Sequence, residues 1–132
     1  EGVAELLRTP GTVLGLSDGG AHLGALCDAG YATYLLGHWV RERQALTIEH
    51  AVMRLTSEPA RLLGITDRGQ LAPGLAADIT IFDPDRIMDR ATYESPFAYA
   101  EGIDYVIVNG TVVFDDGQPM PHRPGRPLRK GK

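Results

Sequence analysis

The sequence predicts an α/β protein, on three observations. A short apolar run, Thr12-Val13-Leu14-Gly15-Leu16, sits between Pro10-Gly11 and Ser17-Asp18-Gly19-Gly20 and reads as a buried strand. From Ala29 to Arg43, Ala32, Leu35, Leu36, Trp39 and Val40 recur at i, i+3, i+4, i+7 and i+8, the stripe of an amphipathic helix. Asp104 to Asp115 reads DYVIVNGTVVFD, two β-branched runs flanking Asn109-Gly110. That dipeptide signals a two-residue hairpin, because a type I′ turn needs positive φ at both central positions.

The remaining elements fill the space between these. Arg41 and Arg43 suit the negative pole at the end of the first helix. Thr47 is a good N-cap for a second helix with the face Ile48, Ala51, Val52 and Leu55. Ser57 is expected to cap a third, short helix. Pro59 is tolerated in its first turn and Gly64 supplies a left-handed stop. Beyond Gly64 the chain turns often, at Arg68-Gly69 and Pro73-Gly74, and Asp78 to Pro84 reads as a strand ended by Asp-Pro. Helical grammar thus gives way to β grammar near residue 66.

With 132 residues the chain can bury a core, and its 43% hydrophobic and 23% charged composition is that of a globular protein. With a net charge of −4, the positive charge gathered among prolines in Arg123, Arg126, Arg129, Lys130 and Lys132 reads as a loose basic terminus more than as a nucleic-acid patch. The single Cys27 cannot form an internal disulfide, which places the chain in a reducing compartment, the cytoplasm by default. No apolar run is long enough to cross a membrane, and the N-terminus carries no targeting pattern. Asn109-Gly110-Thr111 fits a glycosylation sequon, but the turn accounts for it fully.

Asp18 is the first candidate for chemistry. A strand that ends in an acid followed by two glycines exposes the carboxylate while letting backbone or ligand approach closely. The alternative is that Asp18 caps its own loop by accepting backbone N–H bonds. His22, four residues on, is suited to ligate a metal or bond a substrate, or to rest on a backbone carbonyl. Asp18 and His22 together fall short of the three or four ligands a stable metal site needs. His38 and His50 read as packed or solvated helix residues, and His122 lies among prolines. Cys27 precedes Asp28, whose charge disfavours a thiolate. Asp28, Tyr31 and Tyr34 either line a pocket above the strand or begin the helix. No P-loop or G-x-G-x-x-G fingerprint supports a nucleotide site.

Taken in order, four stretches resemble one family. Leu16-Ser17-Asp18-Gly19-Gly20 is similar to the last barrel strand of metal-dependent amidohydrolases, and LTIEHAVMRLTSEPARLLG, Leu46 to Gly64, to the helices that follow it. RGQLAPGLAADITIFD, Arg68 to Asp83, resembles the re-entry into the family's small β domain, and VIVNGTVVFDDG its closing hairpin. Within the superfamily the nearest likeness is to the N-acyl-D-amino-acid deacylases, the D-aminoacylases.

The resemblance implies a carboxyl-terminal piece of a (β/α)8 barrel enzyme. Residues 1–65 are then the last barrel strand and its helices, 66–120 a portion of the β-sandwich with its closing hairpin, and 121–132 a flexible basic tail. It also implies a zinc-dependent parent that hydrolyses a non-peptide C–N amide bond, with an N-acyl amino acid as substrate. A cyclic-amide hydrolase of the dihydroorotase or hydantoinase kind is the alternative, and a non-catalytic fragment with an associative role is another. The His-x-His pair of such enzymes is absent, no lysine precedes Lys130, and Cys27 does not match the early-strand cysteine that deacylases use as a bridging ligand.

By the resemblance, Asp18 contacts the metal, takes a proton from the metal-bound water and later protonates the departing amine. Deacylases of this type carry a His-Pro-Arg-like stretch soon after the aspartate, whose arginine holds the substrate carboxylate. Here Gly20-Ala21-His22-Leu23-Gly24 stands in that place, with no arginine until Arg41, and His22 is the residue available to a substrate group. The isolated chain is expected to bind no metal tightly, to lack hydrolase activity and to associate, with itself or with the missing N-terminal part, through the unpaired edges of its first strand.

Overall fold

The computed structural model describes residues 2–15, 17 and 27–129. All helices precede residue 64 and all strands follow residue 78. Helix α1 spans Gly2–Arg8, an element the sequence reading did not assign. After one 3-10 turn at Asp28–Gly30, α2 (Tyr31–Tyr34) runs directly into a π-helical segment, Leu35–Glu42. Helices α3 (Ile48–Leu55) and α4 (Ser57–Leu63) follow.

The stripe expected over 29–43 is present, but the winding is wider than an α-helix. Arg43 N donates to His38 O at 2.9 Å, five residues back, and Ala45 N to Trp39 O at 2.8 Å. Leu35, Leu36 and Gly37 are consecutive and all buried, a broader inward face than a 3.6-residue repeat presents. Gly37 has a packing reason: a Cβ there would stand 2.6 Å from the carbonyl oxygen of Ile87.

Thr47 caps α3 as expected, its hydroxyl accepting from His50 N at 3.3 Å. The cap expected at Ser57 is displaced by one residue. Ser57 is the first helical residue, Thr56 flanks it without a side-chain cap, and the Thr56 hydroxyl donates back to Val52 O at 2.7 Å. Pro59 falls within the first turn of α4, and Gly64 closes the helix at φ 69°.

The sheet is a four-stranded antiparallel meander in the order β1 (Ile79–Phe82), β2 (Ile103–Val108), β3 (Thr111–Asp115) and β4 (Gln118–Pro119). Asn109 and Gly110 have φ of 47° and 78°, the type I′ requirement, and Val108 pairs with Thr111 across the turn. Asp116-Gly117 repeats the device at φ 39° and 84°, giving a second hairpin that the sequence reading stopped short of.

The expected strand at residues 11–17 is a correction. Thr12, Val13, Leu14, Gly15 and Ser17 form no strand, while Leu16 lies outside the described residues. A strand exists only through a ladder to a neighbouring backbone, and among the described residues none of the pairings involves residues 12–15 or 17.

The core gathers Leu7, Leu35, Leu36, Leu46, Ala51 and Ile87, with Leu14, Trp39, Phe82 and Ile103 packed against it. It is therefore mainly a helical core, capped by the connection between β1 and β2. Ile87, 2% exposed, plugs it. Arg41, in the last turn of that helix as the sequence suggested, also holds the plug, its guanidinium donating to Ile87 O at 2.7 Å and Pro84 O at 3.3 Å.

Candidate functional site

The two residues on which the sequence placed chemistry, Asp18 and His22, lie outside the described residues. What is described is residues 12–15 and 17, which precede Asp18 in the sequence, and the helices that hold them. That segment is held from below by one side chain. Arg54, on α3, is 3% exposed and is the only buried charged residue among the described residues. Its guanidinium donates to Leu7 O at 2.6 Å, to Thr12 O at 2.5 Å and to the Thr12 hydroxyl at 2.9 Å. Leu7 O belongs to the last turn of α1, where carbonyls lack helical partners, so Arg54 caps α1 and grips the next segment together. Glu58, one turn on, faces the guanidinium at 3.4 Å and balances its charge. Arg8 adds a further tie, its Nε donating to Ala45 O at 2.8 Å.

Sequence reasoning missed Arg54 because its targets are backbone carbonyls, which leave no pattern. One signal was present: Arg54 falls three residues after Ala51, within the apolar stripe of α3, and pairs at i, i+4 with Glu58.

On the other flank, Tyr34, His38 and Glu42 line up at i, i+4 and i+8. Tyr34 stacks on the His38 ring at 4.8 Å, and His38 Nδ1 and Glu42 Oε2 are 2.8 Å apart. His38 is thus a held helix residue. Cys27 is half-buried and free. Asp28 is exposed and begins the 3-10 turn without a side-chain cap bond.

A cavity of about 480 Å³ opens between the helices and the sheet, lined by Leu36, Val52, Leu55, Phe82, Ile103 and Val106 among others. Asp78 is its one carboxylate among the described residues and is engaged structurally, accepting from Asn109 N at 2.7 Å and pairing with Arg68. Arg68 in turn pairs with Asp67 at 3.1 Å and reaches the Asn109 side chain at 3.4 Å. The Arg68 hydrogen bond holds the Asp67 carboxyl below its ordinary range, and Asp67 raises Arg68 in return. Asn109 Nδ2, the atom a glycan would need, donates to Pro124 O at 2.8 Å. That bond and the type I′ turn give the sequon its structural use.

Among the described residues, no group of three or more His, Cys, Asp or Glu side chains could hold a metal ion. The described residues therefore do not furnish a zinc site by themselves. Nor is any helix among them long and apolar enough to cross a membrane.

Among the described residues a group of helices is followed by an antiparallel meander, and the class of protein follows from the family match: the chain belongs to the amidohydrolase family, which it matches over residues 1–114. Among its relatives is the N-acyl-D-glutamate deacylase of Alcaligenes xylosoxydans xylosoxydans, 48% identical over 101 residues, covering 76% of this chain and 20% of that protein. The crystal structure of the Bordetella bronchiseptica N-acyl-D-glutamate deacylase, complexed with zinc and a phosphonate mimic of the tetrahedral intermediate, superposes with a TM-score of 0.69 at 48% identity. That match covers 74% of this chain and 20% of the other. A D-aminoacylase structure matches with a TM-score of 0.73 at 37% identity, over 75% of this chain and 21% of its own. The chain thus spans about one fifth of the length of the relatives it matches.

Proposed function

We propose that this chain is the carboxyl-terminal part of a zinc-dependent deacylase that hydrolyses N-acyl amino acids, D-amino acids foremost. The observation that carries this reading is the 48% identity to an N-acyl-D-glutamate deacylase over three quarters of the chain. The zinc of the phosphonate-bound relative supports a metal centre whose other ligands come from outside these residues. Residues 1–65 then belong to the barrel and 66–120 to the β-sandwich, ahead of the basic tail. Asp18 is the chain's contribution to chemistry: a carboxylate that takes the proton of the attacking water and returns it to the leaving amine. His22 serves a substrate group.

The apolar surface supports a part covered by the rest of its enzyme. Leu62, Leu63, Leu71, Tyr93, Phe97 and Tyr99 are all more than half exposed, as residues packed against the remainder of a larger enzyme would be in this chain alone. By itself the chain is inactive and associates through such surfaces.

The test is a substrate panel for the whole zinc-loaded enzyme: N-acetyl-D-glutamate, N-acetyl-D-aspartate, neutral N-acetyl-D-amino acids, their L-enantiomers, and a dihydropyrimidine as cyclic amide. Turnover of an N-acyl amino acid above the cyclic amide supports the reading. Turnover of the cyclic amide alone replaces it with a cyclic-amide hydrolase, and turnover by the 132-residue chain alone contradicts the assignment of the metal ligands to outside residues.

A further inference from the structure

We propose that Asn109-Gly110 is a modification site, a slow intramolecular deamidation restrained by the carboxyl-terminal segment tied to its turn. Asn109 is the sole asparagine of the chain, and the glycine after it has no Cβ to keep its main-chain nitrogen from the Asn109 side chain. In the reaction that nitrogen attacks Cγ of Asn109. The N–Cγ bond forms, the Cγ–Nδ2 bond breaks, and Nδ2 leaves as ammonia, taking up the Gly110 amide proton. Water then opens the cyclic imide at either carbonyl, leaving aspartate or isoaspartate. This chemistry makes asparagine a thermolabile residue.

Both groups that must move are held. The Gly110 amide, the nucleophile, donates to Ala77 O at 2.9 Å. Asn109 Nδ2, the leaving group, donates to Pro124 O at 2.8 Å. Asn109 Oδ1 accepts from both terminal nitrogens of Arg68 at 3.4 Å, and the Asn109 amide donates to Asp78 Oδ1 at 2.7 Å. The segment that supplies Pro124 is itself anchored on either side. Met120 N donates to Val113 O at 2.8 Å, and the Arg126 guanidinium faces the Asp67 carboxylate at 3.6 Å. Attack on Cγ therefore waits for a local opening in which Gly110 leaves Ala77 and Nδ2 leaves Pro124.

The product cannot relock. An aspartate in place of Asn109 has an oxygen where Nδ2 stood, and that oxygen meets Pro124 O acceptor to acceptor. Its charge also joins those of Asp67 and Asp78 around Arg68, which already pairs with both. The turn is thus a one-way latch: modification frees the carboxyl-terminal segment, whatever substrate the enzyme takes.

The whole enzyme, held at one pH, tests this. Isoaspartate at position 109, read by peptide mapping, should form about a hundredfold more slowly in the native enzyme than in the same enzyme unfolded in urea. Equal rates overturn the inference. Removal of residues 121–132 should accelerate isoaspartate formation and hydrogen exchange at the Gly110 amide by a common factor of about ten, because both require that amide to be freed and deprotonated. Where the truncated form loses its native circular dichroism, Arg126→Met, at an exposed position, weakens the anchor alone and should raise both rates about twofold. Unchanged rates in the variant used overturn the inference, as does faster exchange without faster isoaspartate formation.

Asn109→Asp reads the consequence. Subtilisin should cut within residues 121–129 about fivefold faster than in wild type, with the far-ultraviolet spectrum retained. Where Asn109→Asp fails to fold, wild type aged until deamidated supplies the same comparison. Cleavage at the wild-type rate overturns the latch.

Discussion

The helical half and the sheet half of this chain are held together by different means. The sheet is local: β2, the Asn109-Gly110 turn and β3 are consecutive, and every pairing in the meander joins strands adjacent in sequence. The helical half is stitched by arginines that reach across long stretches of chain to backbone carbonyls. Arg8 reaches Ala45, Arg41 reaches Ile87 and Arg54 reaches Leu7 and Thr12. Arg41 also couples the halves, because Ile87 lies between β1 and β2 yet is buried among helical residues. Local turn chemistry makes a fold readable from sequence; charge-to-carbonyl ties make it specific without advertising themselves.

The largest effect should come where the halves meet. Gly102 is buried at φ 78°, and a Cβ there would stand 2.5 Å from Ile87 N and 2.7 Å from Arg86 C, both backbone atoms. Gly102→Ala should lower unfolding stability by more than about 4 kcal/mol in a urea titration, since neither backbone can yield cheaply. A loss below about 1 kcal/mol would show that the β1–β2 connection is not tightly docked.

Leu36→Ala, which deletes a core side chain of the π-helical segment, should lower stability by about 3 kcal/mol. Trp39, the sole tryptophan, packs against the same core. Its fluorescence should therefore report a transition that coincides with the sheet signal in far-ultraviolet circular dichroism. Separate transitions would mean that the halves unfold independently.

Thr47→Ala should cost α3 its cap, about 1 kcal/mol by thermal unfolding, with Thr47→Ser nearly neutral.

Acid should act least. The hydrogen bond from Arg68 holds Asp67 below its ordinary 3.8, and that from Arg90 holds Glu101 below 4.5. Lowered folded values mean that the contribution is fully present above about pH 4.5 and is lost as pH falls through the folded values. The Arg90–Glu101 pair is exposed and the Asp67 carboxylate reaches the surface beside a half-buried Arg68, so the change in unfolding midpoint between pH 5 and pH 3 that disappears in Asp67→Asn should be small.

The sheet was legible because β-branched runs and Asn-Gly need nothing beyond their own neighbours. Thr47 and Gly64 were legible for the same reason. The run at 12–16 was read as a strand from its composition, yet strand formation depends on partners that composition does not name. The π winding of Leu35–Glu42 was hidden because its apolar spacing also fits an α-helix. The role proposed for Asp18 rests on the order of motifs around it, since Ser-Asp-Gly-Gly alone suits a capped turn better.

The most direct test of the account is kcat for Asp18→Asn in the whole zinc-loaded enzyme with N-acetyl-D-glutamate, beside wild type at equal zinc occupancy. A carboxylate that carries the proton predicts a fall of about a thousandfold or more with zinc still bound. Turnover within about tenfold of wild type would contradict it and return Asp18 to the role of a turn cap.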